Sequence, residues 1–101
     1  MSDSLRGLQP WLRPYAHYVS DAFPRLFITS VRRSRTEQLR LWYNRGNNPY
    51  PVAPPGTSKH EYGLAWDMVG PQEDLEQAGQ IWEAMGGRWG GRFGDPIHFE
   101  A

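Results

Sequence analysis

The sequence predicts an α+β fold, a small antiparallel sheet packed with about three helices. Three observations carry the prediction. Apolar residues recur at helical spacing in three separate stretches. Short runs at 26–30, 63–69 and 97–100 read as strands. Helices with separate short strands, and no internal repeat, give an α+β arrangement. At 101 residues the chain makes one domain, 1–101, and not two. A domain of this size buries roughly two-thirds of its unfolded surface, so a bound metal would be a useful further constraint.

The first periodic segment covers 8–23, with Leu8, Trp11, Leu12, Tyr15, Val19 and Phe23 on one apolar face. Pro14 falls inside the pattern, which places the helix start near it, and Pro24 marks the end. In the strand at 26–30, Phe27, Ile28 and Thr29 favour extended structure. Ser34 and Glu37 have the spacing of a capping box. The helix they open is expected over 36–43, burying Leu39 and Trp42 or Tyr43 and stopping near Gly46.

Four prolines, at 49, 51, 54 and 55, make 47–56 a surface loop of the kind that shapes binding sites. In the strand at 63–69, Leu64, Trp66 and Met68 point one way; Ala65, Asp67 and Val69 point the other. The third helix, 73–85, places Leu75, Ala78, Ile81, Trp82 and Met85 at helical spacing, with Gly86 and Gly87 as its cap. A Gly-rich turn then leads to the strand at 97–100.

Composition narrows the function. Without cysteine there is neither a disulfide framework nor a thiolate metal site, so any zinc site must use His, Asp or Glu. Eleven basic and eleven acidic residues balance, which argues against a general nucleic-acid binder using Arg32, Arg33, Arg35 and Arg40. Aromatic residues at 14% suit a packed domain or an aromatic-lined cleft rather than disorder. The stretch 1–7 is polar and no later segment could span a membrane, so the chain is expected to be made in the cytoplasm without its own signal peptide.

The chemistry-bearing candidates are His60, Asp67 and His98. Two imidazoles and a carboxylate suit zinc and leave a fourth tetrahedral position open, as catalytic sites do. Zinc can bring the pKa of water from 15.7 to about 7. Taken alone, a histidine is more often a surface or core residue than a ligand. The aspartate within an apolar strand is less ordinary, because a buried carboxylate needs a partner. Asp95, three residues before His98, is either a general base brought in by a turn or ordinary Asp-Pro turn chemistry. Arg33 is either a solvated arginine or one that holds a substrate carboxylate or a developing oxyanion.

The segment Ser58-Lys59-His60 through Asp67 resembles the Ser-x-His-x6-Asp signature of the D-alanyl-D-alanine carboxypeptidase, or VanY-like M15-type, zinc peptidases. Asp95-Pro96-Ile97-His98-Phe99-Glu100 resembles that family's second signature, an acidic residue separated by two positions from a His-Phe-Glu-like end. Thr29 to Ser34, with Gln38, is similar to its upstream element, and Trp89-Gly90-Gly91 to a run before the second signature. The matches stand in the family's order from about residue 26 onward, and three short motifs in register are far more specific than one.

The resemblance implies a hedgehog/DD-peptidase-like fold with the zinc site at the sheet. It implies metal ligands His60, Asp67 and His98, Asp95 as catalytic acid/base, Arg33 as the substrate- or transition-state-binding arginine, and Ser58 as a substrate-binding neighbour. Glu100 is expected to be a partner to the ligands rather than the base. The implied substrate is a peptidoglycan stem peptide, cut as an L-Ala–D-Glu endopeptidase or a D-Ala-D-Ala carboxypeptidase. The implied setting is cell wall degradation by a monomeric, phage-type endolysin, acting in the host periplasm or cell wall. The alternative is a non-catalytic zinc-containing peptidoglycan-binding module. Two departures from the pattern are Val31-Arg32 in place of Gly-Tyr, and Asp95 where many members carry Glu.

Overall fold

The computed structural model of the chain describes residues 4–101, so the first three residues of the polar stretch 1–7 lie outside the described residues. Leu8 and Leu12 enter the core from turns, and helix α1 follows at Arg13–Asp21 with Pro14 in its first turn. The chain then forms strand β1 (Phe27–Ser30), helix α2 (Arg35–Tyr43), strand β2 (Ala65–Val69) and helix α3 (Gln72–Ala84). Strands β3 (Arg88–Trp89) and β4 (His98–Glu100) close it. Short 3-10 turns occupy Arg45–Asn47, Lys59–Tyr62 and Gly90–Phe93.

The four strands make one antiparallel sheet in the order β1-β2-β4-β3. One face is the core. Trp66 of β2 stands opposite Phe99 of β4, and Phe99 opposite Trp89 of β3. The Trp66 ring stacks on Phe99 at 5.4 Å and meets the edge of Trp82 from α3 at 4.9 Å. Such aromatic pairs add about 0.5–1.5 kcal/mol each beyond the area they bury. All three tryptophans 66, 82 and 89 are therefore core residues.

The other face carries the chemistry. Asp67 stands directly opposite His98, and Ala65 opposite Glu100. A bulge in β1 leaves Thr29 without a counterpart, so Ser30 comes opposite Asp67. Without that extra residue the alternation would leave Ser30 on the core face with Ile28.

The capping box forms as expected: Ser34 Oγ accepts from Glu37 N–H, and Glu37 accepts from Ser34 N–H. Several expected core positions are corrected. Trp11 and Tyr15 are exposed, while Leu5 and Ala16 are buried, because the chain at 8–12 is not helical and the phase of α1 starts at Arg13. On α2, Leu39 and Tyr43 are exposed and the buried residue is Gln38. On α3 the core side is Leu75, Ala78, Gly79 and Trp82, with Ile81 and Met85 toward solvent. The two-residue strand β3 replaces part of the expected Gly-rich turn.

Gly90 is required by a close approach. A methyl group there would lie 2.2 Å from the Asp95 carbonyl oxygen and 2.9 Å from His98 Cβ. Gly90→Ala is expected to destabilise the fold by about 1–3 kcal/mol through this overpacking. Gly46→Ala, where nothing lies within 4 Å, should leave the urea midpoint almost unmoved; paired denaturation curves check both.

Candidate metal centre

The site is assembled from four pieces of chain. His60 sits in the 3-10 turn that Ser58 caps: Ser58 Oγ accepts from His60 N–H, and Glu61 accepts from Ser58 N–H. This turn is fastened to the segment after β1 in both directions. Arg33 N–H donates to the His60 carbonyl at 3.0 Å, and His60 Nδ1 donates to the Val31 carbonyl at 2.5 Å. Asp67 and His98 come from the paired strands β2 and β4. Asp95 opens a turn in which His98 N–H donates back to the Asp95 carbonyl, and Trp89 Nε1 pins that turn through the Pro96 carbonyl.

Ligand atoms of His60, Asp67 and His98, one from each, all lie within 4.8 Å of one another. His60 Nε2 and His98 Nδ1 are each 3.2 Å from the same oxygen, Oδ1 of Asp67. The far nitrogens are engaged: His60 Nδ1 with Val31, and His98 Nε2 with Glu100 Oε1 at 2.7 Å. Assigned from these hydrogen bonds, the neutral tautomers direct two nitrogen lone pairs at a carboxylate oxygen. Three acceptors converging on one point require protons or a cation among them. A divalent cation satisfies all three at once, so this donor set fits a metal.

The electrostatics describe the alternative to a shared cation, in which protonated imidazoles donate to Asp67. Burial, the largest single influence on Asp67, pushes its pKa up. Hydrogen bonds and charge from His60 and His98 outweigh it and hold the carboxyl well below the usual carboxylate range. Burial pushes His98 down, yet Asp67 and Glu100 outweigh that and raise it.

Arg33 faces the site but is largely engaged. Its Nε donates to Ser30 Oγ, one terminal nitrogen to Gln38 Oε1, and the other to Asp67 Oδ2 at 3.0 Å. The buried Gln38 in turn donates to the Ala53 carbonyl, linking the arginine to the proline-rich loop. Arg33, Gln38, Ala53 and the converging His60, Asp67 and His98 line a cleft of about 300 Å³, which also contains Ser58, Lys59, Asp95 and Glu100.

Among the described residues two buried side-chain polar atoms lack a hydrogen-bond partner: Trp66 Nε1 in the core and Asp95 Oδ1 in the cleft. Burial raises the Asp95 pKa, the charge of His98 opposes this, and that of Asp67 adds to it.

All six residues singled out from the sequence (Arg33, Ser58, His60, Asp67, Asp95 and His98) thus line one cleft, with Ser58 engaged as the cap of the His60 turn. Glu100 Oε1 lies against His98 Nε2. Gln38, matched in the sequence as the end of the upstream element, was given no role there, and the Val31 carbonyl was not foreseen, because a backbone carbonyl leaves no sequence pattern. His17 is half-buried on α1 and is not among the residues of this cleft.

No protein-family profile matches the chain. No curated protein matches it in sequence. Solved structures do match. The Serratia marcescens L-Ala D-Glu endopeptidase ChiX superposes with a TM-score of 0.70 at 20% identity, covering 96% of this chain and 82% of ChiX. The vancomycin-resistance D,D-pentapeptidase VanY of a VanB-type cassette, solved in complex with Zn(II), also gives 0.70, at 18% identity, covering 92% of this chain and 71% of VanY. The fold is the one shared by these peptidases, as the sequence resemblance implied.

If Glu100 orients His98, Glu100→Ala should weaken zinc binding roughly 10–100-fold with little change in circular dichroism. Competition titration against a chromophoric chelator measures it. Glu100→Gln, which can still accept from Nε2, should recover part of the loss.

Proposed function

We propose that this chain is a zinc-dependent peptidase that cleaves a peptide bond in peptidoglycan stem peptides. The observation that carries the reading is the convergence of His60, Asp67 and His98 in a cleft beside the unpartnered carboxyl of Asp95. The likeness to ChiX and VanY supports it through the fold.

In this reading zinc is held by His60 Nε2, an Asp67 oxygen and His98 Nδ1. Zinc so held supplies Lewis acidity, activating water and polarising a carbonyl. Asp95 accepts the proton of the attacking water and delivers it to the leaving amine, so the C–O bond forms as the C–N bond breaks. Burial suits it to this double duty, because a raised pKa lets the carboxyl both take and return a proton. A guanidinium has five N–H donors, and three hydrogen bonds engage Arg33 within the protein. The remaining two can stabilise negative charge developing on the substrate carbonyl oxygen. Ser58 keeps His60 in place from the cleft wall.

A wall-binding module without catalysis would need no acid/base, and a half-buried carboxyl with one unsatisfied oxygen beside the ligands would only cost stability. Asp95→Asn separates the two readings. It should keep zinc and substrate affinity while lowering kcat roughly 10²–10⁴-fold; a binding module would show no turnover to lose. Digestion of purified peptidoglycan, with and without chelator, tests the activity itself. Mass spectrometry of the new termini distinguishes the L-Ala–D-Glu from the D-Ala–D-Ala bond.

The Asp95 carboxyl must be ionised to accept a proton, so kcat/KM rises as pH rises through its pKa. Burial raises that pKa and a cation bound beside it would lower it, so the acid limb is identified by its loss in Asp95→Asn. A pH–rate profile whose acid limb is unchanged in Asp95→Asn would contradict the assignment of Asp95.

A further inference from the structure

We infer that Lys59 is the receptor for a free carboxylate on the substrate, so that the cleft selects peptides in which that carboxylate is not amidated. The inference rests on the peptidase reading above and adds to it a source of specificity.

Lys59 is the only lysine in the chain. It lines the same cleft as His60, Asp67 and Asp95. Apart from the two imidazoles, the cationic side chains of that lining are Arg33 and Lys59. Arg33 holds Ser30, Gln38 and Asp67, and its charge is matched by Asp67 at 3.0 Å. Its two remaining N–H donors are assigned above to the developing negative charge on the scissile carbonyl, so a second anion on the substrate needs another cation.

Lys59 has no such commitment: its side chain is exposed and, among the described residues, forms no ion pair. The nearby acids are matched elsewhere. Glu61 is held by Arg35 and by the Gly56 and Ser58 N–H groups, and Glu100 lies against His98 and Arg88.

The backbone at Lys59 is fixed while its ammonium is not. Its carbonyl accepts from Gly63 and Leu64 N–H, and the Ser58–Glu61 capping box holds the turn on either side. A point charge on a flexible stem, rooted one residue from a metal ligand, can meet an anion entering beside the scissile bond. Of the carboxyl groups in the cleft Asp95 has a buried oxygen without a partner, and an acidic peptide entering beside it gains from a cation on the cleft wall. Stem peptides offer two candidate carboxylates, the α-carboxyl of γ-linked D-glutamate and the C-terminal carboxyl. The shared chemistry is a free carboxylate.

The test uses the zinc-loaded protein and a synthetic stem tetrapeptide in three forms: both carboxyls free, the D-glutamate α-carboxyl amidated, and the C-terminus amidated. Turnover is followed by chromatography. Binding is followed by calorimetry with the wild type, Lys59→Met, and Asp95→Asn as a variant that holds peptide without cutting it. Removing one charge-assisted contact is expected to raise KM and Kd of the free peptide roughly tenfold in Lys59→Met, with kcat unchanged within about twofold. One of the two amidations should cost the wild type the same factor and Lys59→Met nothing further, which identifies the carboxylate. Lys59→Arg should recover most of the affinity and Lys59→Glu should lose more.

Equal KM and Kd for wild type and Lys59→Met on all three peptides would overturn the inference while leaving the peptidase reading intact. Lys59-dependent binding without cleavage by the wild type would support the carboxylate receptor and overturn the peptidase reading. Absence of both binding and cleavage of every peptide would overturn both.

Discussion

The antiparallel pairing of β2 with β4 is the constraint on which both the core and the site depend. Directly opposed residues project to the same face, with Cβ atoms about 4.5–5.5 Å apart. Asp67 opposite His98 therefore brings two of the three candidate ligands together by register alone. The neighbouring pair, Trp66 opposite Phe99, fills the core on the reverse face. A slip of one residue would turn His98 into the apolar layer and put an aromatic ring in the cleft. Aromatic packing on one side thus sets the geometry of the donors on the other.

The cleft is a crowded set of acceptors held in place by a few donors. Asp67 receives Arg33 on one oxygen and faces both imidazoles with the other. Each imidazole is turned by a partner behind it, a backbone carbonyl for His60 and the Glu100 carboxylate for His98. The β1 bulge serves the same end, since it presents Ser30 to Arg33 Nε. Removing any one of these supports would leave a buried polar group without its partner, which in general costs about 1–3 kcal/mol. The arrangement is stable as a unit and intolerant of piecemeal change.

Much of this was legible in the sequence, for identifiable reasons. Pro14 and the Ser34–Glu37 pair marked helix starts because they act on the adjacent backbone. Asp67 stood out because an aspartate in an apolar strand calls for a partner. What failed was part of the rotational phase of the helices. Trp11 belongs to a turn rather than to α1, so one periodicity extended across Pro14 misplaced Trp11 and Tyr15, although Leu8, Leu12 and Val19 are buried as expected. On α2 the apolar residues Leu39, Leu41, Trp42 and Tyr43 are scattered around the helix, and the interior position goes to Gln38 through its two hydrogen bonds. Strand β3, two residues between glycine-rich turns, has too little sequence to show a period. Its Trp89 is nonetheless what pins the turn carrying Asp95.

In the proposed site two imidazole nitrogens and one carboxylate oxygen share a single divalent ion. X-ray absorption at the zinc edge on protein loaded with one equivalent of zinc reads that first coordination sphere directly. The expected result is one site with two histidine nitrogens at about 2.0–2.1 Å and oxygen filling the remainder, and loss of one histidine contribution in His98→Ala. A spectrum of zinc surrounded by oxygen alone, or one unchanged by that substitution, would contradict it.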